Sequence, residues 1–219
     1  MREILNAIMN LSYEEFKDRE EFSLLRVDRE IVVRMDGVKF GRFTKEFGSV
    51  RDPTVHNALV SSTKALIQTY SCDEAYVSSD EINVFCKRPP FAGRIEKIDS
   101  VFPSFVSANF SLEIGKAAWF DSRIVLIRET EWPKYVAWRL KVTLCNYASK
   151  LTNLPCHEAL TTIEPDEYAF GTLIKREKYL KRAVNPLTGE VVTVERRKLK
   201  AITGWALLGE LKNVVGNPG

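Results

Sequence analysis

The run AYVSSDEINVF, residues 75–85, limits what this chain can fold into more than any other stretch. Val, Ile, Tyr and Phe favour strands, and Asp and Glu do not. Two adjacent carboxylates, Asp80 and Glu81, interrupt the apolar pattern. Two explanations stand: a hairpin with a solvated turn, or acids held in place for chemistry.

The flanking sequence reads as strands and helices in alternation. EIVVRMD, residues 30–36, is a strand that ends in an acid, and a loop punctuated by Gly37, Gly41, Gly48 and Pro53 follows it. PTVHNALVSSTKALIQTY has helical spacing, with Val55, Leu59, Ser62 and Leu66 on one stripe and Pro53 at its start. AYVSS and INVFCK form a hairpin around the two acids. RIEKIDSVFPSFVSANFSLEI is a helix interrupted at Pro103. RIVLI, 123–127, is a buried strand, and WPKYVAWRLKVTLCNYASKL is an amphipathic helix whose Tyr135, Trp138 and Leu144 share a core-facing spacing. The order β-α-β-β-α-β-α gives an α+β fold, a split βαβ arrangement with a mixed sheet covered by helices. Residues 1–158 form this domain, and residues 159–219 form a basic extension packed on it.

Charge marks that extension. The net charge of the 219 residues is only +3. Yet Lys175, Arg176, Lys178, Lys181, Arg182, Arg196, Arg197, Lys198 and Lys200 are opposed only by Glu177, Glu190 and Glu195. They surround a hairpin, VNPLTGEVV, that presents them as a surface suited to a phosphate backbone or, more plainly, as a solvated face. No apolar run reaches the ~18 residues that span a bilayer, and the N-terminus lacks the pattern of a secretory signal. The expectation is a cytoplasmic protein without a membrane partner. The four cysteines form no CxxC pair, and His56 and His157 are the only histidines, so zinc is not expected. The cysteines are read as buried thiols in a reducing compartment. A metal, if used, is a hard one held by oxygen.

In a split βαβ sheet the first strand and the hairpin are central neighbours. Asp36 then meets Asp80 across 44 positions of sequence (36 to 80). Converging carboxylates are costly unless cations neutralise them. Mg²⁺ accepts a few carboxylates and keeps positions open for phosphate oxygens. Two such ions ~3.5–4 Å apart activate a hydroxyl and stabilise a leaving pyrophosphate. Gly37 lets the backbone come close to a ligand, so that its carbonyl joins the metal and the following amides face a triphosphate; a plain loop-starting glycine explains it equally. Asp73-Glu74, an equally acidic pair, is assigned no function.

Five motifs in order, RMDGVKFGRFTKEF, AYVSSDEINVF, RIEKIDSVFPSFVSANF, FDSRIVL and YVAWRLKVTLCNYASKL, resemble those of the tRNA-His guanylyltransferase family and its Thg-like reverse polymerases. The tail GTLIKREKYLKRAVNPLTGEVVTVERRKLK resembles that of the bacterial and archaeal Thg-like members. The resemblance implies a polymerase-palm-like, ferredoxin-like βαββαβ domain that adds nucleotides to the 5′ end of tRNA in the 3′–5′ direction. It implies two Mg²⁺ ions, GTP, ATP or another nucleoside triphosphate as substrate, tRNA as partner, and a homodimer or homotetramer. Carried over by position, Asp36, Asp80 and Glu81 are the catalytic acids, and Asp36, Asp80 and the Gly37 carbonyl are metal ligands. The nucleotide site takes Gly37, Val38, Lys39, Phe40, Gly41, Arg51, Ser79, Asp80, Arg94 and Lys97, with Arg51 where the family has lysine. Arg123 contacts phosphate or pairs with Asp121. Arg182, Arg196, Arg197 and Lys198 are the RNA-binding residues. Val38 replaces the arginine and Gly41 the histidine of the family's DGRxFH loop, and the HINN segment is LCNY, with only Asn146 matching. These departures favour template-dependent 5′-end repair over dedicated tRNA-His guanylylation. A nucleotide cyclase, or a non-catalytic RNA-binding module, remains the alternative.

Overall fold

The computed structural model describes residues 1–12, 14–48 and 50–214. Helices α1 (Arg2–Met9) and α2 (Glu14–Lys17) lead into strand β1 (Ile31–Gly37) and the short helix α3 (Phe40–Phe43). Helix α4 (Pro53–Tyr70), strands β2 (Glu74–Ser78) and β3 (Glu81–Cys86), helix α5 (Ile95–Ile114) and strand β4 (Phe120–Leu126) follow. Helices α6 (Trp132–Thr152) and α7 (Cys156–Thr162), strands β5 (Thr172–Val184) and β6 (Val191–Thr203) and helix α8 (Trp205–Leu211) complete the described chain.

Period-2 alternation divides the central strands between two layers. Ile31, Val33, Met35, Ile82, Val84 and Val77 enter one core, beneath α4 and α5. Val32, Phe85, Tyr76 and Leu173 face the other, beneath α6 and α8. Local chemistry starts α4 where the sequence expects it. Pro53 is its first residue, and the Asp52 carboxylate accepts hydrogen bonds from the amides of Thr54 (2.8 Å) and Val55 (3.3 Å). Val55, Leu59, Ser62 and Leu66 are all buried.

The strands form one six-stranded sheet in the order β4-β1-β3-β2-β5-β6. Every pairing is antiparallel, so the expected mixed sheet is corrected. The crossovers β1–α4–β2 and β3–α5–β4 each skip one strand, which runs the opposite way, while the connection from β4 through α6 and α7 to β5 passes over three. β4 is also not the buried strand expected at 123–127. It is the sheet's edge, and Leu126 is 59% exposed.

Pro103 does not interrupt α5, which runs through it. Proline removes one amide and leaves the carbonyl of Asp99, four residues earlier, without its helical donor. The Ser122 hydroxyl, on β4, donates to that carbonyl at 2.9 Å. A side chain from the neighbouring strand thus replaces the missing hydrogen bond.

The expectation of free thiols is also overturned. Cys72 is bonded to Cys86, and Cys145 to Cys156. The Asp73 amide donates to the Phe85 carbonyl at 3.0 Å, which closes the end of the hairpin and brings Cys72 beside Cys86. Asn153, in the left-handed conformation, ends α6 and turns the chain so that Cys156 returns to Cys145. Among the described residues, no helix is long and apolar enough to cross a membrane.

The basic segment is a long two-stranded hairpin. β5 joins β2 only through Thr172–Lys175, and beyond that it pairs with β6 alone. The register places Arg196 opposite Tyr179, Lys198 opposite Glu177, and Arg197 opposite Lys178. Because successive residues alternate, Arg196 and Lys198 lie on one face of the ribbon and Arg182 and Arg197 on the other. The single basic surface expected from composition is therefore two surfaces.

Candidate active site

β1 and β3 carry the acids to one end of the sheet. The register sets Asp121 of β4 opposite Asp36 of β1, Asp36 opposite Glu81 of β3, and Glu81 opposite Ser78 of β2. Residues directly opposite share a face, so three carboxylates stand in one cross-strand row. Like charges so placed repel unless each finds a cation. Asp121 has Arg123, at 2.9 Å. Glu81 has Arg139 of α6, which donates from Nε to one oxygen at 2.8 Å and from a terminal nitrogen to the other. Arg34 approaches Glu81 at 3.8 Å, and the Asn83 amide donates to it at 2.7 Å. Asp36, in the middle of the row, has no ion-pair partner among the described residues. Its carboxyl is pushed up, first by burial and then by the charges of Asp80, Glu81 and Asp121.

Asp80 comes from the β2–β3 turn. The amide of Gly37 donates to the Asp80 carbonyl at 3.0 Å, which fixes the turn beside the end of β1. Ser79 supports it in a left-handed conformation (φ 58°), unusual for a residue with a side chain. The Ser79 hydroxyl donates to the Asp80 carboxylate at 2.8 Å and accepts from Arg51 at 2.8 Å. Asp36, Asp80, Arg51, Ser79, Arg139 and Asn146 line one cavity of about 230 Å³. A second, smaller one on the other side of Asp80 is lined by Arg51, Gly41, His56 and Lys150. Arg51 serves both. It is buried, which lowers its pKa against the opposing charge of Asp80, and its Nε has no hydrogen-bond partner among the described residues.

The sequence-predicted residues separate on this geometry. Asp36, Gly37, Asp80, Ser79 and Arg51 come together. Glu81 is not a solvated turn acid; it is the first residue of β3, buried and held by guanidinium groups. The Val38 amide is taken by the Trp119 carbonyl at 2.8 Å. Lys39 adopts the left-handed conformation ahead of α3, and Phe40 is buried against Phe43, Phe110 and Phe120. Gly41 faces open space. Arg94 and Lys97 are exposed at the start of α5, and neither lines either cavity. Arg123 makes the ion pair with Asp121. Asp73 and Glu74 have structural roles: Asp73 accepts the Lys87 amide, and Glu74 accepts the Trp132 indole N–H.

Sequence reasoning missed Arg139, Arg34 and Lys150. Tyr135, Arg139, Thr143 and Asn146 follow at helical spacing along α6, and this polar stripe was the available signal. The core reading of that helix fails for Trp138, which is 51% exposed with the Arg139 guanidinium 4.7 Å from its ring.

His56 gives a pH prediction. It is buried, bonded to the Thr172 hydroxyl at 2.7 Å, and its pKa falls to about 4, first through burial and then through Arg51. An unfolded histidine titrates near 6.5, so between those values the unfolded chain binds more protons. Stability from this group is present above about pH 6.5 and is lost as pH falls toward 4, at up to ~1.4 kcal/mol per pH unit. Urea unfolding at pH 7, 6 and 5 should therefore show a shallower slope for His56→Gln than for wild type; equal slopes would refute the assignment.

The larger cavity is lined by three carboxylates, Asp36, Asp80 and Glu81, of which Glu81 is ion-paired with Arg139, leaving Asp36 and Asp80. Among the described residues no group of three or more His, Cys, Asp or Glu side chains is arranged to hold a metal ion. Two carboxylates and a backbone carbonyl fit Mg²⁺, which takes one or two carboxylates and completes its shell with phosphate and water.

A Saccharomyces cerevisiae tRNA(His) guanylyltransferase is 30% identical over 162 residues, covering 65% of this chain and 68% of that protein. An uncharacterised protein of Acanthamoeba polyphaga mimivirus is 28% identical over 177 residues; the match spans 62% of this chain and 61% of the viral protein's length. In fold, the chain is similar to a bacterial tRNA(His) guanylyltransferase-like protein solved in complex with GTP. The TM-score is 0.69 at 22% identity, covering 84% of this chain and 89% of that one. The crystal structure of the yeast enzyme gives 0.61 at 24% identity, covering 75% and 93%. The family model described as tRNAHis guanylyltransferase matches residues 13–128, more than half of the sequence, and the chain belongs to that family of nucleotidyltransferases.

Proposed function

We propose that this chain adds nucleotides to the 5′ end of tRNA in the 3′–5′ direction, opposite a template base, and so repairs truncated ends. The meeting of Asp36 and Asp80 beside the buried, under-bonded Arg51 carries this reading. A pair of acids next to an unsatisfied guanidinium suits a cation-bound polyphosphate. The strand order β4-β1-β3-β2, with α4 and α5 on one face, supports a palm-like βαββαβ unit.

Asp36, Asp80 and the Gly37 carbonyl would hold Mg²⁺, expected as two ions. When bound, they neutralise triphosphate charge and lower the pKa of the attacking hydroxyl. Arg51 binds phosphate, and Ser79 fixes the Arg51–Asp80 spacing. The hairpin cations Arg182, Arg196, Arg197 and Lys198 contact the RNA backbone from the two faces of the ribbon. A homodimer or tetramer belongs to this reading. The bacterial neighbours were solved with GTP and with ATP, which supports nucleoside triphosphates as substrates. Val38, Gly41 and the LCNY segment support general addition. The name of the yeast relative favours a second reading, one fixed guanosine added to tRNA-His.

The test uses triphosphorylated tRNAs lacking the first nucleotide and differing in the base opposite the gap, each incubated with one nucleoside triphosphate at a time. Incorporation that follows the opposing base is expected. Guanosine added regardless of that base would establish the second reading. Binding without incorporation, or cyclic nucleotide formed without RNA, would overturn both.

A further inference from the structure

We propose that Arg139 is a positioning residue that keeps Glu81 out of the cation-binding set, leaving Asp36 and Asp80 as a two-carboxylate site with positions open to phosphate. The inference rests on the Mg²⁺ reading above and concerns a side chain outside the motif acids.

Glu81 stands directly across from Asp36 on the same face of the sheet. At that separation, with Cα atoms ~4.5–5.5 Å apart, a free glutamate would share any ion that Asp36 binds. It is not free. Arg139 holds both of its oxygens in a fork, Asn83 donates to one of them, and the Tyr135 hydroxyl holds Asn83 at 2.7 Å. Arg139 reaches across from α6, 58 positions away, and is itself backed by the exposed Trp138 ring. At the other end of the row Arg123 makes a single hydrogen-bonded ion pair with Asp121 at 2.9 Å, on the exposed edge of the sheet. The two outer carboxylates are thus neutralised by protein, and only the middle one is left to a ligand. A third carboxylate in the set would bind a divalent ion more tightly but would fill coordination positions that substrate oxygens need.

Binding of Mn²⁺ alone, with no RNA or nucleotide, measured by electron paramagnetic resonance of the free ion, tests this. Arg139→Gln should bind Mn²⁺ about tenfold tighter, because ligand charge count sets affinity, while its nucleotide incorporation falls. Arg139→Lys keeps the charge without the fork and should tighten binding a few-fold. Adding Glu81→Gln to Arg139→Gln should return affinity to within about twofold of wild type, the released ligand having been removed. A merely structural role for Arg139 predicts unchanged or weaker binding. Unchanged affinity in a folded Arg139→Gln, or a double variant that stays tight, overturns the proposal. Should Arg139→Gln not fold, Arg139→Lys decides, and no tightening there overturns it. Wild type that binds no Mn²⁺ would instead remove the cation reading itself, a distinct result.

Discussion

Asp80→Asn should abolish nucleotide incorporation while leaving the protein folded and able to bind tRNA. Asparagine keeps the volume of the side chain and an oxygen that accepts from Ser79, so the turn at φ 58° retains its support. It also removes a like charge that raises the Asp36 pKa. It removes as well the charge that opposes the buried Arg51, so the two effects work against each other and stability is expected to change little. Catalysis cannot hold, because a lone carboxylate at Asp36 gives a hard cation one anchor instead of two. Stabilising transition-state charge is worth several kcal/mol, and each ~1.4 kcal/mol is tenfold in rate. A loss of about 10³-fold or more in single-turnover incorporation follows, with tRNA affinity changed by less than about threefold. Incorporation equal to wild type would take Asp80 out of the site.

Gly37→Ala should cost both stability and rate. A β-carbon there would press into the Phe40 ring, inside contact distance of Cδ2 and 2.7 Å from Cγ. The ring cannot swing away, since Phe43, Phe110 and Phe120 enclose it with centroids 4.8 to 5.6 Å distant. The backbone must move instead, and the Gly37 amide is the group that holds the Asp80 turn. Overpacking of this kind costs roughly 1–3 kcal/mol of stability. A displacement of about 1 Å at the reacting groups costs on the order of 10² in rate. Denaturant unfolding and incorporation kinetics on the same preparation should show both losses. A variant with wild-type stability and rate would mean that the β1–α3 turn is looser than its packing indicates.

Glycine in place of histidine at position 41 bears on the same loop from the opposite direction. Nothing lies within 4 Å of where its β-carbon would be, on the wall of the smaller cavity. A side chain is thus tolerated at 41 and excluded at 37. Two glycines that look alike in DGVKFG differ because one backs onto an aromatic cluster and the other onto a cleft.

The sequence alone determined the parts that local chemistry controls. Hydrophobic period placed the strands and helices, Asp52-Pro53 placed the start of α4, and the acid pair with its strand-like flanks marked the β2–β3 hairpin. The motif order pointed to the family before any distance was known. Tertiary structure alone decided which of those acids is available. Asp80 and Glu81 are neighbours in the chain, yet one lies on the turn beside Gly37 and the other starts a strand beneath Arg139. No periodicity links Glu81 to an arginine 58 positions later, or Cys72 to Cys86, or the orphaned Asp99 carbonyl to Ser122. Such pairs are fixed by strand register, and register is set by burying one face of each strand against helices remote in sequence. A side chain's neighbours along the chain follow from covalent spacing, while its neighbours across the sheet exist only once the whole core has closed.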